Sequence, residues 1–114
     1  MLNISSLTSA QQGVYIDCVL EPESLRYNCP RAISFPNGIS PEMVVVATKK
    51  VLECHPALFS HFEDRNGSPT QVFANQCVAE ITISKVDNNN ITEIKKNFSR
   101  RFDIGHGPLY RAEV

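Results

Sequence analysis

The order of apolar patterns predicts an α/β or α+β two-layer sandwich, a mixed sheet with helices packed on it. Three observations carry that expectation. Helix-start signals occur near residues 8, 40 and 90; short alternating segments lie between and after them; no linker-like run or internal repeat divides the chain. Read in order, these give helix, strand, helix, strands, helix, strand, a succession that packs as helices on a sheet. Residues 1–114 are therefore treated as a single unit, a length that fits one compact domain or one lobe of a larger one.

The first helix is signalled by Leu7-Thr8-Ser9-Ala10-Gln11-Gln12. Thr8 or Ser9 can cap its free amides, and Ser9 with Gln12 has capping-box spacing. The helix is expected to run to about Leu20, where Glu21-Pro22-Glu23-Ser24 breaks it. Residues 32–35 (Ala-Ile-Ser-Phe) read as a strand closed by the turn residues Pro36-Asn37-Gly38.

Ser40-Pro41-Glu42 starts the second helix, with Ser as N-cap, Pro in the first turn and an acid near the positive end of the dipole. Val44, Ala47, Val51 and Leu52 recur at helical spacing and are expected to form its buried face, and His55-Pro56 ends it. Residues 58–63 and 70–73 read as strands joined across Asp64-Arg65-Asn66-Gly67, where Asn-Gly favours a hairpin turn.

Ala79, Ile81 and Ile83 alternate with Glu80, Thr82 and Ser84 as in a half-buried strand. Asn90 followed by Glu93 predicts a capped helix with the apolar stripe Ile91, Ile94, Phe98. Residues 109–114 alternate again, and the sequence ends inside that strand, as expected of a piece of something longer.

Composition narrows the function. Eleven basic and twelve acidic residues leave a net charge of −1, without the basic stripe of a nucleic-acid binder; Lys95-Lys96 and Arg100-Arg101 read as a solvated helix face. No apolar run is long enough to span a membrane, and the N-terminus carries no secretory pattern, so the expected compartment is cytoplasmic. Cys18, Cys29, Cys54 and Cys77 form no Cys-x-x-Cys pair and have no histidine at ligand spacing, which argues against zinc. They are read as buried, reduced thiols.

Four stretches, in order, resemble signatures of the nonribosomal peptide synthetase condensation domain. Leu7-Thr8-Ser9-Ala10-Gln11-Gln12-Gly13-Val14-Tyr15 is similar to the opening Leu-Thr/Ser-x-Ala-Gln-x-Gly-x-Trp/Tyr. Tyr27-Asn28-Cys29-Pro30 is similar to Tyr-Asn-x-Pro. Cys54-His55-Pro56-Ala57-Leu58-Phe59-Ser60-His61-Phe62 stands where the family has Arg-His-Glu-x-Leu-Arg-Thr-x-Phe. Phe102-Asp103-Ile104-Gly105-His106-Gly107-Pro108-Leu109-Tyr110-Arg111 resembles Phe-Asp-Leu-x-x-Gly-Pro-Leu-x-Arg. The third stretch departs from the pattern: the two arginines fall on Cys54 and Phe59 and the acid on Pro56, so ion pairs bracing an active site are not expected there.

The resemblance implies one lobe of a chloramphenicol acetyltransferase-like fold and amide formation between carrier-tethered acyl or peptidyl and aminoacyl thioesters. It implies peptidyl or acyl carrier domains and their phosphopantetheine arms as partners, together with the C-terminal lobe of the same domain. The family's His-His-x-x-x-Asp-Gly is expected some 10 to 15 positions beyond Val114 and does not occur in these 114 residues, so the chain alone is expected to be inactive.

Thr8, Gln11, Tyr15, His55, Asp103 and Arg111 are singled out as motif or structural candidates, not as catalytic groups. Thr8 and Gln11 serve capping and packing or line a tunnel mouth. His55 is stabilised at a helix end by the dipole. Asp103 belongs to the turn shaped by Gly107-Pro108. Arg111 pairs with the acid of the absent motif, or makes a surface or interlobe ion pair. None of His55, His61 and His106 is expected to be catalytic. The alternatives are another carrier- or coenzyme A-dependent acyltransferase of this fold, an epimerisation or cyclisation relative, or a non-catalytic module binding a carrier or partner. An isolated lobe is also expected to self-associate through uncovered apolar surface or an unfinished strand.

Overall fold

The computed structural model describes residues 3–114. Strand β1 (Asn3–Ser6) leads into helix α1 (Ser9–Leu20), and an irregular stretch follows to helix α2 (Pro41–Glu53). A 3-10 turn (Pro56–Phe59), the strands β2 (Ser60–Arg65) and β3 (Ser68–Phe73), and helix α3 (Ile91–Phe98) complete the elements. The sheet has the order β1-β3-β2, antiparallel throughout.

The hairpin forms where the sequence places it. Arg65 pairs with Ser68, leaving Asn66 and Gly67 as a two-residue loop with φ of 54° and 82°. That double left-handed geometry is the reason Asn-Gly is favoured: it matches the right-handed twist of the strands. Gly67 N–H donates to Asp64 Oδ1 at 2.8 Å and fixes the turn. The central strand β3 then carries the core, with Thr70, Gln71 and Val72 buried beside Leu7, Ser60 and Ala79.

Helix caps follow the sequence with adjustments. At α1 the capping box is Thr8 with Gln11, one residue ahead of the Ser9–Gln12 spacing: Thr8 Oγ1 accepts from Gln11 N and Gln11 Oε1 accepts from Thr8 N. Ser40 caps α2 by accepting from Met43 N, with Pro41 in the first turn. At α3 the side chain of Asn90 makes no cap bond to the helix. It accepts from Asp87 N instead, while Asp87 Oδ1 accepts from the amides of Asn89 and Asn90.

Other expectations need correction. The sheet is antiparallel rather than mixed; among the described residues, parallel pairing occurs only as the bridge Thr82–Glu113, supported by Thr82 N–H to Ala112 O at 3.0 Å. Residues 32–35 form no strand for want of a neighbour. Residues 79–84 and 109–114 meet only around that bridge, with Val114 N–H to Thr82 O at 2.8 Å and Ser84 N–H to Val114 O at 2.9 Å. That ladder is too short to make strands of them. Residues 58 and 59 belong to the 3-10 turn, not to the strand. None of the four cysteines is buried: Cys29 and Cys54 are exposed, and Cys18 and Cys77 are half-buried. The half-buried face of α2 is Val44, Val45, Thr48 and Leu52, while Ala47 and Val51 join Met43 and Val46 on an exposed apolar side. A helix apolar on two sides is built to be covered twice.

The molecule is extended. Its radius of gyration is 16.3 Å over extents of 52 × 31 × 19 Å, against about 13 Å for a compact chain of this length. Its accessible surface is 8619 Å², some 2,400 Å² above the roughly 6,200 Å² of a folded monomer of this mass.

Candidate functional site

An open groove of about 670 Å³ runs between α1, the stretch after it, and the segment following α3. It receives Val14 from the opening stretch, Tyr27, Asn28, Cys29 and Pro30 from the next, Phe62 from the third and residues 102–104 and 109–111 from the last. Segments as far as 97 positions apart in sequence (residues 14 and 111) thus meet at one surface.

Each wall has a local cause. The α1 wall presents Cys18, with the thiol pKa pushed up by burial and by the charge of Asp17. Asp17 also anchors the next wall: Tyr27 Oη donates to Asp17 Oδ2 at 2.5 Å, and Arg26 lies between Asp17 at 3.5 Å and Glu21 at 2.8 Å. The hydrogen bond to Asp17 pushes the Tyr27 phenol upward, because the carboxylate favours the protonated donor. Exposed pairs of this kind set geometry more than stability.

The far wall is organised by Arg111. Its guanidinium donates to the carbonyls of Phe98 at 2.7 Å, Arg101 at 3.2 Å and Arg100 at 3.3 Å, and lies 4.4 Å from the centroid of the Phe102 ring. These carbonyls belong to the end of α3 and the turn after it, where helix geometry leaves acceptors without partners. A cation there also meets the negative end of the helix dipole. Burial and the charge of Arg100 lower the Arg111 pKa, and no carboxylate among the described residues ion-pairs with it.

Asp103 closes the turn at the groove rim. Its Oδ1 accepts from Gly105 N at 3.1 Å, its carbonyl from Gly107 N at 2.8 Å, and its Oδ2 lies 2.8 Å from His106 Nδ1. The hydrogen bond with His106 holds the Asp103 carboxyl below its ordinary range. Gly107 sits at φ 70° with the position of a Cβ only 2.8 Å from the Ser60 carbonyl, so the chain passes tightly over β2 there. Leu109 N–H to Leu58 O at 2.8 Å and Phe62 N–H to Ile104 O at 2.6 Å fasten the same segment to the 3-10 turn and the hairpin.

Of the singled-out residues, the structure brings Asp103 and Arg111 to the groove. Tyr15 and Gln11 line an adjoining apolar recess with Phe62, whose ring centroid is 6.3 Å from that of Tyr15. Thr8 is spent on the cap of α1, and His55 stands exposed beyond the end of α2, where its amide donates to Leu52 O at 3.0 Å. His61 Nε2 faces Glu63 at 3.7 Å. Neither it nor His106 hydrogen-bonds a hydroxyl or thiol among the described residues, so no nucleophile-base pair is assembled.

Sequence reasoning missed a buried polar chain. Gln11 Nε2 donates to Gln71 Oε1 at 3.4 Å, Gln71 Nε2 to Ser60 Oγ at 2.8 Å, and Ser60 Oγ to Ala57 O at 2.6 Å. It ties the opening stretch to the hairpin and to the third stretch. The one available signal was a glutamine at the centre of a strand, directly before the apolar pair Val72-Phe73.

The helix-and-sheet fold thus gathers four sequence signatures round one groove. Over residues 1–114 the chain matches the family model described as Condensation domain, and it belongs to that family. It is 33% identical over 108 residues to bacitracin synthase 3 of Bacillus licheniformis, covering 95% of this chain and 2% of that protein. Bacitracin synthase 2 of the same organism is 28% identical over 108 residues, 95% of this chain and 4% of its own length. Gramicidin S synthase 2 of Aneurinibacillus migulanus is 28% identical over 105 residues, 92% of this chain and 2% of its own. The chain therefore spans only a few per cent of the length of the relatives it matches. Among the described residues, no helix is long and apolar enough to cross a membrane.

Proposed function

We propose that these residues form the front lobe of a nonribosomal peptide synthetase condensation domain, one lobe of a chloramphenicol acetyltransferase-like fold. The domain joins two thioester-tethered substrates. Carrier domains present them on phosphopantetheine arms: the upstream one an acyl or peptidyl thioester, the downstream one an aminoacyl thioester. The amine attacks the upstream thioester carbonyl, a C–N bond forms, the C–S bond breaks and the upstream thiol leaves. The amine's proton goes to a base that these 114 residues do not supply, since they contain no His-His-x-x-x-Asp-Gly.

The observation that carries this reading is the convergence of the four motif stretches on one groove. In the proposed domain the lobe holds that wall in shape, with Arg111 tying the last motif to the end of α3 and Gln71 tying α1 to the hairpin. Its contribution is positional, which is where small displacements cost large factors in rate.

A chimera tests this. Residues 1–114 replace the matching stretch of bacitracin synthase 3, and amide product from loaded carriers is measured. Product at a rate within about tenfold of the parent is expected, since a correctly shaped wall preserves the positioning. A chimera that unfolds cooperatively, like the parent, yet makes no amide overturns the proposal. Product from coenzyme A thioesters but not from carriers assigns the chain to another acyltransferase of this fold.

A further inference from the structure

Asparagine stands before glycine at two places, Asn37-Gly38 and Asn66-Gly67, and all four residues are exposed. This pairing carries a chemistry of its own. The glycine amide nitrogen attacks the side-chain carbonyl carbon of the asparagine before it. An N–C bond forms, hydroxide takes the amide proton, and the side-chain nitrogen leaves with a proton from water as ammonia. Water then opens the five-membered imide at either carbonyl, giving aspartate or isoaspartate. Glycine permits the step because no Cβ blocks the approach and its peptide turns freely. The reacting atoms are the same at both places, and only the backbone around them differs.

The two nitrogens are held very differently. Gly67 N–H donates to Asp64 Oδ1 at 2.8 Å, a hydrogen bond to a charged acceptor. Asn66 and Gly67 are fixed at φ of 54° and 82° between the paired residues Arg65 and Ser68. Gly38 N–H, by contrast, donates to no group among the described residues, and Asn37 is not in the left-handed region. Its turn is closed by Ile39 N–H to Pro36 O at 3.4 Å, beyond the usual range for such a bond, and no ladder flanks it.

We propose that Asn37 is a site of spontaneous deamidation in the folded chain, with water as its only co-substrate, and that the hairpin holds Asn66 unreactive. Attack at Asn66 requires the Gly67 amide to leave Asp64 and the turn to open. Attack at Asn37 requires only rotation within an unpaired stretch. The consequences differ as well. Isoaspartate carries the main chain through the side-chain carbon and so lengthens the backbone by one atom. At residue 66 that atom enters a two-residue loop whose size sets the register of β2 on β3, and with it the placing of Thr70, Gln71 and Val72 in the core. At residue 37 it falls in a stretch with no register to lose. The inference is independent of the amide-forming reading.

To test it, the 114-residue chain is incubated in mildly alkaline buffer with and without denaturant. The peptides holding residues 37 and 66 are followed by mass spectrometry, with isoaspartate scored by carboxyl methylation. In the folded chain Asn37 is expected to lose its amide at least about tenfold faster than Asn66, the factor that one hydrogen bond to a charged group supplies. In denaturant the two are expected to react at similar rates. Asp64→Ala is expected to release Asn66 while Asn37 keeps its rate, and Asp64→Asn, which retains an acceptor, to keep Asn66 slow. Equal rates at the two sites in the folded chain overturn the proposal. So does a difference that persists undiminished in denaturant, which would make it a property of the flanking residues. An Asp64→Ala chain in which Asn66 stays slow, or an Asp64→Asn chain as fast as Asp64→Ala, overturns it equally.

Discussion

Arg111 shows how a motif residue acts when its partners are backbone groups. A guanidinium offers five N–H donors in a fixed fork, and here three carbonyls at the end of α3 take up its two terminal nitrogens. Arg111→Ala is expected to cost about 1.5–3 kcal/mol in chemical denaturation, the range for hydrogen bonds to a charged group. Lysine is expected to recover only part, because one ammonium cannot span the three acceptors. Nothing in the sequence around residue 111 announces this role, since the acceptors are main-chain atoms at Phe98, Arg100 and Arg101. Asp103 is the opposite case, legible as a turn residue beside glycines. Its pKa is lowered in the folded chain, chiefly by His106. Its stabilisation is therefore fully present above the ordinary carboxylate pKa of about 3.9 and lost as pH falls through the lower folded value. Stability of Asp103→Asn, measured by denaturant titration from pH 7 to pH 2, is expected to lack that portion of the acid decline; an unchanged decline would contradict it.

At the scale of elements, local chemistry decided helices and the hairpin, and long-range pairing decided the rest. The caps at Thr8 and Ser40, Pro41 in its first turn and Asn66-Gly67 are determined within four residues, so they were readable. β1 was not anticipated: Asn3-Ile4-Ser5-Ser6 has little strand character and is extended because β3 offers it an edge. Residues 32–35 and 79–84 have more strand character and form no strand, for want of a partner along most of their length. The groove was legible only through the resemblance, since periodicity says nothing about which motifs meet. Two glycines separate turn geometry from packing. Gly67→Ala meets open space and is expected to cost about 1 kcal/mol for its positive φ. Gly107→Ala carries the same backbone strain and also drives a methyl against the Ser60 carbonyl. Thermal melts are expected to show it as the more damaging by at least about 1 kcal/mol; equal losses would place residue 107 in looser surroundings than described.

The whole molecule is under-buried for its length. Leu7, Val72 and Ala79 are its only buried apolar residues among those described, while Leu20, Ile33 and Ile83 are largely exposed. Helix α2 adds Met43, Val46, Ala47 and Val51 to that exposed apolar surface. Its groove is lined by four motif stretches and, among the described residues, by no histidine. We propose that this chain shapes a condensation site without performing the chemistry. The most direct test incubates the 114-residue chain alone with an acyl-loaded and an aminoacyl-loaded carrier protein and measures amide product by mass spectrometry. No product above the uncatalysed aminolysis is expected. Product that disappears on His61→Ala or His106→Ala would contradict the claim and place catalysis within these residues.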